Sequence, residues 1–299
     1  MRILITGGAG FLGAWIVRRL APGGHALRIF DLAENRGLIA AIAGERAADA
    51  CEWRVGDIAA RAEIRRAAAD CDAIVHLAGV LTLACRADPV RGAEINLLGT
   101  LNVFEAARDH GISRIVYTSS AAVYGPFDGR APWPTSHYGA FKLACEGCVR
   151  AYWEDHRLAS IGFRPYVVYG PGREGGLTAG PSSACRAAAE GAAYVFPYRG
   201  SAGLVYVDDV AAAFEAALAR EPDGAHVFNL VGEVASPEQV IAELHRLAPN
   251  TDIRTGGDIL PFAPEIAEGN VREAFPNLPA TSLRSGIERT FTYYRDGRL

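Results

Sequence analysis

The stretch Arg2-Ile3-Leu4-Ile5-Thr6-Gly7-Gly8-Ala9-Gly10-Phe11-Leu12-Gly13 decides the fold. Ile3–Thr6 is an apolar run of strand length, and Phe11–Leu20 after it reads as a helix. Gly7, Gly10 and Gly13 punctuate the join. Missing side chains there let the backbone turn tightly, approach a pyrophosphate and pack helix against strand. The free amides of the helix N-terminus then face the phosphates. A glycine loop by itself is only a tight turn; between a strand and a helix it predicts a dinucleotide-binding unit. The spacing is G-x-x-G-x-x-G, not G-x-G-x-x-G.

Outward from this loop, short apolar runs alternate with helical segments as far as Arg164. Ala26–Phe30, Trp53–Val55, Ala73–Leu77, Arg114–Thr118 and Ser160–Arg164 read as strands. Continuous apolar runs separated by helices indicate a parallel sheet covered on both faces. Right-handed crossovers then give a doubly wound, Rossmann-type α/β fold. After Arg164 the texture changes to Gly- and Pro-rich sequence, as in Tyr169-Gly170-Pro171-Gly172 and Gly180-Pro181. Two helix starts remain legible there. Asp208 and Asp209 precede Val210–Arg220, and Ser236-Pro237-Glu238 opens Gln239–Leu247 with a capping Ser and an early Pro. The expectation is a dinucleotide-binding domain over residues 1–165. A smaller, substrate-binding lobe then spans residues 166–299, with segments near 204–230 returning to the core.

Composition narrows the function. Of 299 residues half are hydrophobic and 21% charged, which suits a globular enzyme. The formal net charge is −4 with scattered Lys and Arg, so neither nucleic acid nor an anionic membrane is an expected partner. The longest apolar run, Ala73 to Cys85, is broken by His76 and is too short for a membrane span. The N-terminus enters the strand directly with no signal-like core, so a cytoplasmic location is expected. Six dispersed cysteines argue against a disulfide scaffold. Cys145 and Cys148 form a C-x-x-C inside a helix, without a second pair or a His cluster to complete a metal site. No metal is expected.

Two acidic residues follow the second and third strands. Asp31 lies eighteen residues past Gly13, where a carboxylate accepts hydrogen bonds from the adenosine ribose and repels a 2′-phosphate, favouring NAD over NADP. A strand-end Asp that merely caps a turn is the alternative. Asp57, in Gly56-Asp57-Ile58, is placed to meet the adenine amino group.

The chemistry is carried by Tyr138-Gly139-Ala140-Phe141-Lys142, with Ser120 before it. Tyr138 and Lys142 are four apart and share one helix face. A phenol is a weak base near neutrality. A Lys ammonium about 4 Å away stabilises its phenolate by ~4 kcal/mol at an effective dielectric of ~20, but by only ~1 kcal/mol in bulk water. The pair therefore needs a partly closed site. Ser120, at the mouth of the Arg114–Thr118 strand, would hold the reacting oxygen of an alcohol or ketone.

These pieces together resemble the extended short-chain dehydrogenase/reductase family, in its NAD-dependent epimerase/dehydratase branch. The matching motifs, in family order, are Thr6–Gly13, Asp57-Ile58, His76-Leu77-Ala78-Gly79, Asn96-Leu97-Leu98-Gly99-Thr100 and Thr118-Ser119-Ser120-Ala121-Ala122-Val123-Tyr124-Gly125. Tyr138/Lys142, Arg164-Pro165-Tyr166-Val167-Val168-Tyr169-Gly170-Pro171-Gly172 and Tyr206-Val207-Asp208-Asp209-Val210 follow. The resemblance implies Ser120, Tyr138 and Lys142 as catalytic residues, with Asn96 ordering the site and a water. It implies NAD contacts at Gly7, Gly10, Phe11, Leu12, Gly13, Asp31, Asp57, Ile58, Leu77, Ala78, Gly79, Tyr138, Lys142, Pro165 and Val168. It also implies a homodimer through the helices near residues 99–110 and 138–156.

Two departures bear on the substrate, a small molecule. Nucleotide-sugar members usually carry an Asn where this chain has Val167, and an Arg near the position of Ala202. The segment from Gly125 to Tyr138 is also short. Loss of groups that serve a diphosphate or a base favours a smaller sugar, sugar acid or hydroxy acid. Thr82, Ser120, Ala121, Arg173, Ser182 and Arg199 are the candidate substrate contacts, the arginines being suited to a carboxylate. Three readings stay open: a dehydrogenase that releases NADH, an epimerase of the UDP-glucose 4-epimerase kind that retains NAD, and a non-catalytic NAD sensor. Dehydration is the weakest option, because Ala121 and Ala122 stand where an extra acid/base pair would be needed.

Overall fold

The computed structural model describes residues 1–221 and 223–297. These residues form strands β1 (Arg2–Thr6), β2 (Ala26–Asp31), β3 (Glu52–Val55), β4 (Ala73–His76), β5 (Arg114–Thr118) and β6 (Ser160–Pro165). Strands β7 (Val167–Tyr169), β8 (Tyr194–Arg199), β9 (Ala202–Tyr206), β10 (Ala225–Leu230), β11 (Glu233–Ala235) and β12 (Ile253–Ile259) complete the set. Seven of them make one sheet in the order β10-β6-β5-β4-β1-β2-β3, every neighbouring pair parallel. The fold is the doubly wound Rossmann type.

Both faces of the sheet are buried, which is why the strand runs read as uniformly apolar. Ile3 and Ile5 of β1 enter one core cluster and Leu4 the other. Ala73 and Val75 of β4 likewise part from Ile74. The six strands expected from the sequence are found within one residue at either end, and the Phe11–Leu20 helix has the expected bounds.

The second half departs further from its sequence reading. The helix expected over Val210–Arg220 runs Val207–Ala219. Asp208 and Asp209 thus lie within its first turn, where a carboxylate suits the positive end of the helix dipole. Asp208 is tied to Arg19 of the Phe11–Leu20 helix at 2.8 Å. The Pro237–Leu247 helix begins with a capping box formed by Ser236 and Gln239. β10 returns to pair with β6, while β7 leaves the main sheet for a three-stranded one in the order β11-β9-β7. β8 and β12 pair with each other.

Chain direction fixes the site. β1 stands between β2 and β4, with Thr6 beside Phe30 on one flank and His76 on the other. The connections leave β1 in opposite senses from this point, so a crevice opens beyond the C-terminal ends of β1 and β4.

Candidate active site

A deep cavity of about 520 Å³ occupies that crevice. Its floor is the glycine loop. A side chain at Gly13 would strike the carbonyl oxygen of Gly8, so only glycine lets the helix close on the loop. Asp31 ends β2 against the same loop: one carboxylate oxygen accepts from the Ala9 amide at 3.0 Å, the other from the Leu32 amide at 2.8 Å. Asp31 therefore caps this turn and also lines the cavity. Asp57 lines it too, but its carboxylate is engaged by the Ala59 amide and by Arg91. The Ala59 amide, with help from Arg91, holds that carboxyl below its ordinary pKa.

Behind the loop lies a directed chain of hydrogen bonds. The Ala78 amide donates to Thr6 Oγ1 at 3.3 Å, and Thr6 Oγ1 meets His76 Nδ1 at 2.7 Å. His76 Nε2 lies 3.0 Å from Thr100 Oγ1, which donates to the Asn96 carbonyl at 2.7 Å. Because the Thr100 proton is already used, His76 must donate from Nε2 and accept at Nδ1, which fixes its tautomer. Burial, and then the nearby Lys142 charge, push the His76 pKa down to about 3, so the ring is neutral. The chain ties β1, β4 and the following helix into one bracket beneath the cavity.

Asn96 sits in a π-helical turn, Glu94–Leu98. Its side-chain amide donates to the carbonyls of Gly92 and Val80, at 3.0 and 3.1 Å. Its Oδ1 is buried without a partner, against Gly79 and on the side of Lys142. A buried carbonyl left in this state is a ready acceptor for a bound group or water.

The His137–His156 helix carries Tyr138 and Lys142. Ser136 caps it by accepting from the Gly139 amide at 3.1 Å. Gly139 packs so close that a side chain there would collide with the carbonyl oxygen of Ala122, which brings Tyr138 up to the Ser120 turn. Ser120 Oγ accepts from the Ala122 amide at 3.1 Å, leaving its own proton free to donate into the cavity. Lys142 is 4% exposed and donates to the Thr118 carbonyl at 2.9 Å. Among the described residues no carboxylate pairs with it. Its Nζ lies 5.8 Å from the centre of the Tyr138 ring. At that separation a unit charge is worth about 3 kcal/mol at an effective dielectric of ~20, against under about 1 kcal/mol in water. One turn on, Glu146 takes a two-point ion pair from Arg164 of β6 at 2.5 and 2.7 Å and a hydrogen bond from Ser119. This locks the helix to the sheet on the face that presents Lys142.

All the expected cofactor and catalytic positions line this cavity, as do Thr82, Ala121 and Arg173. Ser182 and Arg199, expected as substrate contacts, do not. Ser182 is fully buried and its Oγ accepts from the Gly170 amide at 2.9 Å. Arg199 lies exposed on β8, donating to the Gly257 carbonyl at 3.0 Å. Both side chains are spent on backbone groups. Arg91, Leu177, Thr178 and Phe262 also line the cavity, outside the expected set. Arg91 comes from the short helix Pro89–Ala93 and the other three from loops, and no local pattern announces how these segments dock. Cys145 and Cys148 are free thiols inside the helix. Among the described residues no cluster of metal-binding side chains occurs, and no helix is long and apolar enough to cross a membrane.

Comparison with known proteins agrees with this geometry. The model of the NAD-dependent epimerase/dehydratase family matches residues 3–231. A uronate dehydrogenase of Pseudomonas syringae pv. tomato is 31% identical over 170 residues. That match covers 54% of this chain and 58% of the relative, so the chain spans little more than half of that protein's length. A UDP-glucose 4-epimerase of Mycolicibacterium smegmatis is 29% identical, with 99% of each chain covered. The structure of Thermus thermophilus UDP-glucose 4-epimerase in complex with NAD superposes with a TM-score of 0.82, at 25% identity and 99% coverage of both chains.

Proposed function

The chain belongs to the NAD-dependent epimerase/dehydratase family, and on that premise we propose that it is an NAD-dependent oxidoreductase acting reversibly at a secondary alcohol or ketone of a small polar substrate, such as a sugar or sugar acid. The observation that carries this reading is the meeting of Ser120, Tyr138 and a buried Lys142, which no carboxylate meets among the described residues, beside the glycine loop. The residues present fit the dinucleotide: a glycine loop closed by Gly13, with Asp31 at the end of β2 against it. NAD, when bound, supplies the hydride acceptor or donor. In the oxidation direction the Tyr138 phenolate, stabilised by Lys142 from its anchor on Thr118, takes the hydroxyl proton and becomes the neutral phenol; in reduction that phenol returns it. Ser120 donates its free proton to the reacting oxygen and fixes its position. Asn96 holds a water at its Oδ1.

The lobe from residue 166 onward supplies the substrate side of the cavity, in this reading. Val167 lines the cavity and Ala202 is buried in β9, so neither offers a polar contact to a nucleotide. An epimerase that retains NAD is the second reading, favoured by the full-length similarity to a UDP-glucose 4-epimerase. Incubation with NAD+ and a panel of sugars and sugar acids separates the two. Stoichiometric NADH supports the dehydrogenase; product without net NADH supports the epimerase, as does micromolar binding of UDP by calorimetry.

The Gly99–His110 and His137–His156 helices lie side by side, linked by Tyr152 to Glu105 at 2.9 Å. Leu98 is exposed beside them. This paired face supports a homodimer, to be tested by light scattering. The six free thiols suit a reducing compartment and hence a cytoplasmic enzyme.

A further inference from the structure

Among the described residues Arg173 is a cation without a counterion. Two other guanidiniums drawn into the interior each have a carboxylate, Arg28 with Glu52 at 2.9 Å and Arg164 with Glu146 at 2.5 Å. Arg173 has none among the described residues. Its Nη2 donates to Thr178 Oγ1 at 3.1 Å, while its Nε is buried without a partner. Its guanidinium carbon stands 5.7 Å from the centre of the Phe11 ring, at the first turn of the helix that follows the glycine loop. The neighbours that favour its charge are Tyr138 and Tyr198, and burial outweighs them, holding the group below its ordinary pKa.

The placement is built, not incidental. Arg173 follows the turn Gly170-Pro171-Gly172, and three side chains from separate elements hold that turn. The Gly170 amide donates to Ser182 Oγ at 2.9 Å, Trp15 Nε1 donates to the Pro171 carbonyl at 3.0 Å, and the Gly172 amide donates to Tyr294 Oη at 2.9 Å. Ser182 thus acts on the site indirectly, through the backbone that carries Arg173. A desolvated, unpaired charge is unfavourable unless something compensates it. A guanidinium's planar fork matches the two oxygens of a carboxylate.

We propose that Arg173, together with Thr178, receives the carboxylate of the substrate, which makes the substrate a hydroxy acid whose carbinol carbon lies at Tyr138 and whose acid group lies at Arg173. This rests on the oxidoreductase reading above and narrows it. The other oxyanion available in the cavity is the pyrophosphate of the dinucleotide. Arg173 lines the same cavity as Tyr138 and interacts electrostatically with it, at the reacting end, which favours the substrate.

The test compares matched pairs that differ only in the acid group: galacturonate with galactose, glucuronate with glucose, and glycerate with glycerol. Each is added to the full-length protein saturated with NAD+, and thermal midpoint and NADH formation are read together. Wild type is stabilised by at least one acid and not by its neutral partner. Arg173→Met loses that binding by about tenfold to a hundredfold, the range of a charge-assisted hydrogen bond, and Arg173→Lys recovers part of it. NADH affinity, from fluorescence titration, stays within about threefold in both variants, which also shows that they fold.

A tenfold or greater loss of NADH affinity in Arg173→Met overturns the proposal in favour of the pyrophosphate. Equal response to acids and neutral partners, or no response to any acid, overturns it outright. Acid-selective binding without NADH formation contradicts the reaction and leaves the carboxylate site standing. NADH formation with no preference for acids does the reverse.

Discussion

Lowering the pH should weaken this protein through His76 in a measurable and separable way. The ring is fully buried and neutral, and protonation would put two donors where the Thr6–His76–Thr100 chain needs one donor and one acceptor. Its native pKa of about 3 lies below the value of about 6.5 in an unfolded chain. The unfolded state therefore binds the extra proton between those values. Stability is fully present above pH ~6.5 and is lost as pH falls toward 3. At about 1.4 kcal/mol per pH unit, the loss between pH 7 and pH 5 is about 2 kcal/mol. With a urea slope of ~3 kcal/mol per molar, the upper end of the small-protein range and suited to a chain of this size, the midpoint shifts by about 0.7 M. The assay is urea unfolding at both pH values for wild type and His76→Gln, which cannot titrate. The variant is less stable at pH 7, because Gln cannot reproduce the chain. Its midpoint, however, moves about 0.7 M less between the two pH values. An equal pH shift in the two proteins would refute a buried neutral imidazole at this position.

Two further outcomes follow from the same geometry. Asp31→Ser should weaken NAD binding and narrow the gap to NADP, because it removes both the repulsion of a 2′-phosphate and the anchor on Ala9; tighter NADP than NAD binding by the unaltered protein in fluorescence titration would contradict this. Glu146→Gln should cost about 3–5 kcal/mol, the usual penalty for leaving one partner of a buried ion pair uncompensated, and thermal unfolding reads it directly; a change under about 1 kcal/mol would mean that Arg164 finds another acceptor.

The first half of this molecule is legible in its sequence because the main sheet is covered on both faces. Ile3-Leu4-Ile5 and Ile115-Val116-Tyr117 are apolar without alternation, and their strands end where the runs end. The glycine loop and the Tyr138/Lys142 spacing are local patterns, so their placement followed from them. The second half depends on distant partners. β7 is three residues long and pairs with β9 from far along the chain, which no local period reports. The π-helical turn that carries Asn96 rests on hydrogen-bond register, not on residue type. Ser182 and Arg199 looked available because they are polar residues in Gly-rich sequence; Gly170 and Gly257 had already claimed them. Arg91 in turn reached Asp57 from a different segment.

The central claim is that Tyr138 moves the proton while the dinucleotide is held independently of it. The most direct measurement is turnover of NAD+ with the acid or sugar identified in the panel, for wild type and Tyr138→Phe, with NADH affinity determined on the same samples. The account predicts that kcat falls by ~10²–10⁴, the usual range for loss of a general acid/base, while NADH affinity is unchanged within about threefold. Near-normal turnover by Tyr138→Phe would contradict it and place the base elsewhere in the cavity.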